Sequence, residues 1–106
     1  MIILALLLSL PQFDGQAAVA DMRQRRDAFK TCIVEQTTRL GAGNTESADT
    51  VLRGVSAACK PAEDHLRAFY PLMMLSRRQI DVAIARDRKL AEDQGVAALL
   101  TARAAR

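Results

Sequence analysis

Cys32, Cys59 and His65 are the residues whose types could carry thiol, metal or proton-transfer chemistry, and each is judged by its spacing. The chain holds two cysteines and one histidine among 106 residues. Cys32 and Cys59 stand too far apart for a thioredoxin-like C-x-x-C, and two thiols with one distant imidazole make a poor zinc set. A Cys-His nucleophilic pair would need a positioned base, and no spacing joins His65 to either cysteine. The expected use of the pair is one disulfide, Cys32–Cys59, with free buried thiols as the alternative. No metal or cofactor is expected.

His65 follows Glu63 and Asp64. General-base work would need a nucleophile or a polar cleft beside it, so a surface or boundary histidine is the simpler reading. Glu63, Asp64, Asp81, Asp87, Glu92 and Asp93 could pair into a carboxylate site. Interleaved with Arg and Lys at helical spacing, they read more simply as solvated faces. The basic residues cluster as Arg23-Arg25-Arg26, Arg77-Arg78, Arg86-Arg88-Lys89 and Arg103-Arg106. Guanidinium groups bind phosphate and carboxylate in a bidentate fork. Arg23, Arg25, Arg26, Arg77 and Arg78 are therefore the candidate contacts for an anionic partner, against the alternative of an ordinary solvated surface. Met73-Met74 with Phe69 and Leu72 could form an adaptable docking surface. Core packing at a kinked turn is the simpler expectation.

The elements that must position these residues follow from composition and periodicity. Half the sequence is hydrophobic, aromatics are 4% and the formal net charge is +3. Ala, Leu and Arg favour helix, and β-branched residues are few. The run Ile2–Leu10 is too short to span a bilayer. Pro11, a polar segment and Ala18-Val19-Ala20 follow in the order of a signal peptide with a small-x-small cleavage site. No Lys or Arg precedes the run, a departure from that pattern. Residues 1–20 are expected to be a signal peptide cleaved after Ala20, with a retained anchor or a core helix as alternatives. Residues 21–106 are then a single helical domain, periplasmic or secreted. Cleavage removes Asp14 and no basic residue, so it raises the net charge by one. A domain this small has a thin core and benefits from a covalent staple.

A first helix is expected over Met22–Leu40, with Met22, Phe29, Ile33, Gln36 and Leu40 on one face. Gly41 and Gly43 are its expected left-handed terminators. The segment from Gly41 to Ser47 is the clearest loop, and Cys32 and Cys59 are equidistant from the midpoint between Thr45 and Glu46 within it. Antiparallel helices meeting there bring both thiols to one height. Ser47 caps a second helix with the apolar positions Ala48, Leu52, Val55, Cys59, Ala62, Leu66, Phe69 and Met73. That register persists through Pro61 and favours one helix kinked there, while Pro61 opening a separate helix is the competing view. Ser76-Arg77-Arg78-Gln79 matches a capping box, with Leu75 and Ile80 as its staple. A third helix runs from there towards Arg103 through Ile80, Ala83, Ile84, Leu90, Ala91, Ala98 and Leu99, and Gly95 is a candidate break.

The expected fold is all-α: a small disulfide-pinned antiparallel hairpin plus a third helix, in the manner of a three-helix bundle. A third helix that projects instead would pair with another copy as a homo-oligomer. The signal, the helical segment around Phe29-Lys30-Thr31-Cys32, the loop, and Ala57-Ala58-Cys59 before Glu63-Asp64 resemble small exported two-cysteine helical proteins of unknown function from proteobacteria. The resemblance spans residues 21–70. It implies a disulfide-pinned hairpin and no activity. The expected function is non-enzymatic binding of an envelope component or another protein. The alternatives are a peripheral membrane protein held to anionic lipid by its Arg-rich helices and, more remotely, a small enzyme. Nucleic-acid binding is not expected, since no aromatic stacking set is present.

Overall fold

The computed structural model describes residues 15–105. Four α-helices and one 3-10 turn follow in order among them: α1 (Gly15–Gly41), α2 (Ala48–Ala58), α3 (Lys60–Phe69), the turn Tyr70–Met73 and α4 (Arg77–Ala104). The expected all-α fold with a disulfide-pinned antiparallel hairpin is found. Cys32 and Cys59 are bonded, with their Cα atoms 5.8 Å apart.

Cross-helix pairs set the topology. Gly41 faces Val51, Cys32 is bonded to Cys59, and Arg25 reaches the His65 carbonyl, so α2 and α3 return antiparallel to α1. Arg26 meets Asp87, Thr37 meets Gly95, and Gly41 meets Leu99, so α4 runs parallel to α1. The result is an up-down-up bundle with α1 packed on both other legs. The loop 42–47 lies at one end. The Tyr70–Met73 turn and the entry to α1 lie at the other.

The core is one cluster containing Phe29 and Ile33 of α1, Val51 and Val55 of α2, Cys59, Leu66 and Phe69 of the second leg, and Ile80, Ile84 and Ala91 of α4. Steps of three or four along each helix place these residues on facing stripes. Small and polar residues complete the stripes. Thr37 and Gly41 are buried on α1, and Gly95 is buried on α4.

Several expectations are corrected. Helix α1 begins by Gly15 rather than Met22 and runs unbroken through the Ala20–Asp21 bond. Of Gly15–Ala20, only Ala18 packs on the core cluster. The Ile2–Leu10 run and the rest of residues 1–14 lie outside the described residues. The second leg is two helices, not one kinked at Pro61. Pro61 cannot donate to the Ala57 carbonyl and its ring crowds that group, so the helix stops before it. Cys59, at φ −98° and ψ 7°, ends α2 and precedes α3. Cys59 N–H still donates to Val55 O at 2.9 Å, and Glu63 N–H to Cys59 O at 3.0 Å. The two helices therefore keep one buried face, from Val51 through Val55 and Cys59 to Leu66.

Gly95 does not split α4. A Cβ there would lie 2.9 Å from Thr37 Oγ1 and 3.2 Å from Thr37 Cβ, so the glycine permits close approach of α1. Gly41 serves packing as well, since no described glycine has positive φ. Leu40, Leu90 and Met73, expected in the core, are exposed.

The two serine caps are found. Ser47 Oγ accepts from Thr50 N–H. Ser76 Oγ accepts from Gln79 N–H while Gln79 Oε1 accepts from Ser76 N–H, a reciprocal box. Arg103 closes the opposite end. Its Nε and Nη2 donate to the Gly41 carbonyl at 3.2 and 3.0 Å, and Nη2 also reaches Glu46 O at 2.8 Å. A guanidinium fork thus satisfies the C-terminal carbonyl of α1, where the helix dipole is negative.

Candidate functional site

The ionisable residues divide into those the bundle uses and those it leaves outward. Asp87, expected on a solvated face, is 8% exposed. It falls on the stripe Ile80, Ile84, Asp87, Ala91, and its charge conceals that register in the sequence. Arg26 Nη2 donates to its Oδ1 at 2.9 Å, and the Tyr70 hydroxyl donates to its Oδ2 at 3.1 Å. Burial raises the Tyr70 pKa, and the Asp87 carboxylate raises it further by charge and by accepting the hydroxyl proton.

Glu63 is also buried rather than solvated. It follows Cys59 by one helical turn, so it lands on the covered face of α3. Arg88 of α4 pairs with it, and Lys60 Nζ lies 3.6 Å away. No described buried side-chain nitrogen or oxygen is without a partner. These carboxylates join helices and do not form an acid–base pair with each other.

The five candidate arginines do not act as one cluster. Arg25 donates to Asp21 and to the His65 carbonyl and lies 5.5 Å from the centre of the Phe69 ring. It binds α1 to α3 by charge, hydrogen bond and cation–π contact. Arg26 is held by Asp87. Arg23 and Lys30 line a groove of about 370 Å³ between α1 and α4, with Leu90 and Gln94 opposite. Arg77 and Arg78 are exposed in the first turn of α4. His65 is exposed on α3. Among the described residues, no group of three or more His, Cys, Asp or Glu could hold a metal ion. None of the described helices is long and apolar enough to cross a membrane.

The most unusual surface is the end next to Arg77 and Arg78. Leu72, Met73 and Met74 are 71%, 47% and 92% exposed. Their expected core packing is overturned, while Phe69 and Tyr70 just before them are buried. Pro71 stops α3 and the chain tightens into the 3-10 turn. Met74, at φ 58°, then reverses it towards Ser76. The four successive apolar residues Leu72–Leu75 exceed what one helical stripe can bury, and they lie between a proline stop and a serine start. That was the sequence signal for exposure. A shallow hollow lined by Arg67, Pro71, Leu75, Arg77, Ile80 and Asp81 adjoins the turn. Arg67 Nη1 and Asp81 Oδ1 pair across it at 2.6 Å, which leaves Arg77 and Arg78 as the uncompensated charges.

No protein-family model, no curated protein and no solved structure matches this chain.

Proposed function

We propose that this chain is an exported, non-enzymatic helical protein that works by binding a component of the cell envelope, with the contact made by the Leu72–Met74 end of the bundle. One observation carries the reading. Three consecutive large apolar side chains stand in solvent at the end of a bundle in which every described buried side-chain nitrogen and oxygen has a partner. Exposed apolar clusters rimmed by charge mark interaction sites. The buried carboxylates, Glu63 and Asp87, are each engaged by a cation, which supports binding over catalysis.

Export is supported by the order of apolar run, breaker and small-residue site, and by the Cys32–Cys59 bond, which belongs to oxidising compartments. Cleavage after Ala20 would leave Asp21 at the head of α1, where its carboxylate complements the helix dipole and still pairs with Arg25 at 2.9 Å. Of the described residues it would remove one that packs on the core cluster, Ala18.

The test is photo-crosslinking in the native host, with the reactive side chain at position 74 or, as control, at position 45 in the opposite loop. Adducts from position 74 alone, in the envelope fraction, are expected. Adducts from both positions equally, or a protein confined to the cytoplasm, contradict the reading.

A further inference from the structure

Within seven residues, three features oppose ordinary folding preferences. Leu72, Met73 and Met74 expose apolar side chains. Met74 adopts a left-handed backbone without being glycine. Arg77 and Arg78 occupy the first turn of α4, which contains no acidic residue, so both cations sit at the positive end of a 28-residue helix. The neighbouring capping box fixes this start firmly, so the arrangement is not a frayed end. Local rules broken together, in an otherwise consistent fold, point to a working surface.

We infer that the Leu72–Met74 turn is a membrane-contact tip: its apolar side chains enter the interface of an anionic bilayer while Arg77 and Arg78 hold lipid phosphates. The inference rests on the proposed function in placing the contact at this end, and it names the partner. Charge complementarity favours lipid. Asp81, the nearest acid along α4, is paired with Arg67, so the rim of the tip is net cationic. Guanidinium groups grip phosphate by a planar fork, and the placement opposes the helix dipole until an anion arrives. Shape favours lipid as well. Three side chains on one short turn fall short of the roughly 800 Å² per partner of a stable protein interface.

The chain has no tryptophan, so Met74→Trp supplies a single reporter in the disulfide-bonded protein as recovered from its host. The probes are vesicles of phosphatidylcholine, alone or mixed with phosphatidylglycerol. With the anionic vesicles at low salt, the emission should shift to the blue and be quenched by brominated acyl chains. The shift should fade as salt is added. Thr45→Trp, at the opposite end, should not shift. Replacing Arg77 and Arg78 by Gln, which also relieves the dipole, should weaken vesicle affinity about 25-fold, at about fivefold per cation. Leu72→Trp gives the same readout if Met74→Trp does not fold. Vesicle binding without a shift at either tip position, or with equal shifts at Thr45, overturns the inference. An unshifted tip with in-cell crosslinks still confined to position 74 overturns the lipid assignment alone. Loss of both overturns the proposed function too.

Discussion

The Tyr70 hydroxyl donates to Asp87 Oδ2 at 3.1 Å, while Arg26 holds the other oxygen of the same carboxylate at 2.9 Å. One buried acid thereby joins α1, α4 and the turn that carries the exposed tip. The turn is anchored at Tyr70 and exposed from Leu72 to Met74, which is how a packed bundle presents apolar side chains to solvent.

This contact predicts a pH dependence. The folded Tyr70 pKa lies above its ordinary value of about 10. Its stabilising contribution is therefore complete below about pH 10 and is lost as pH rises through the folded value. Tyr70 is the single tyrosine, so near-ultraviolet absorbance follows it directly. A titration midpoint above 10, with loss of helix following it, is expected. Tyr70→Phe should cost about 1 kcal/mol at neutral pH, and Asp87→Ala about 2–3 kcal/mol, since it strands a buried hydroxyl. Urea denaturation measures both.

Packing against α1 predicts opposite outcomes for two glycines, Gly95 of α4 and Gly54 of α2. At Gly95 a methyl group meets Thr37, which is fully buried and tied by Oγ1 to Ile33 O at 2.6 Å. Gly95→Ala should destabilise by about 1–3 kcal/mol, overriding its gain in helix propensity. At Gly54 the nearest atom is Leu40 Cδ1 at 3.7 Å. Gly54→Ala should stabilise by about 0.5–1 kcal/mol. Thermal melts of the two variants compare them.

Much of this was legible in the sequence, for local reasons. Ser47 and Ser76 announce their helices through side chains that reach their own backbone, and loop symmetry alone matches Cys32 to Cys59. What escaped was masked by residue type. Asp87 and Glu63 sit on buried registers, but a carboxylate reads as surface until its arginine is seen from another helix. Thr37, Gly41 and Gly95 continue the apolar stripes with small side chains, and a hydrophobicity pattern passes over them. Leu40 and Leu90 are apolar yet lie beside the buried stripe, and Leu72, Met73 and Met74 are apolar yet exposed. Their exposure depends on where Pro71 stops α3, which no periodicity reports.

The disulfide should contribute about 3–4 kcal/mol by restricting the unfolded chain, given a sequence separation of 27. Urea curves with and without reductant check this. Cys32→Ala combined with Cys59→Ala should match the reduced protein within about 1 kcal/mol.

Arg103 predicts that geometry outweighs charge. Its fork covers the Gly41 carbonyl and the Glu46 carbonyl together. Arg103→Gln should cost about 1–2 kcal/mol, and Arg103→Lys should recover little of it, because a single ammonium cannot span both acceptors. Hydrogen exchange should show faster opening of the 42–47 loop in both variants.

Intact mass spectrometry of the protein recovered from its native host, with and without reductant, reads the proposed export and the Cys32–Cys59 staple together. A chain beginning at Asp21 that gains two hydrogens on reduction is expected. A chain still carrying residues 1–20, with free thiols and no mass change on reduction, would contradict both.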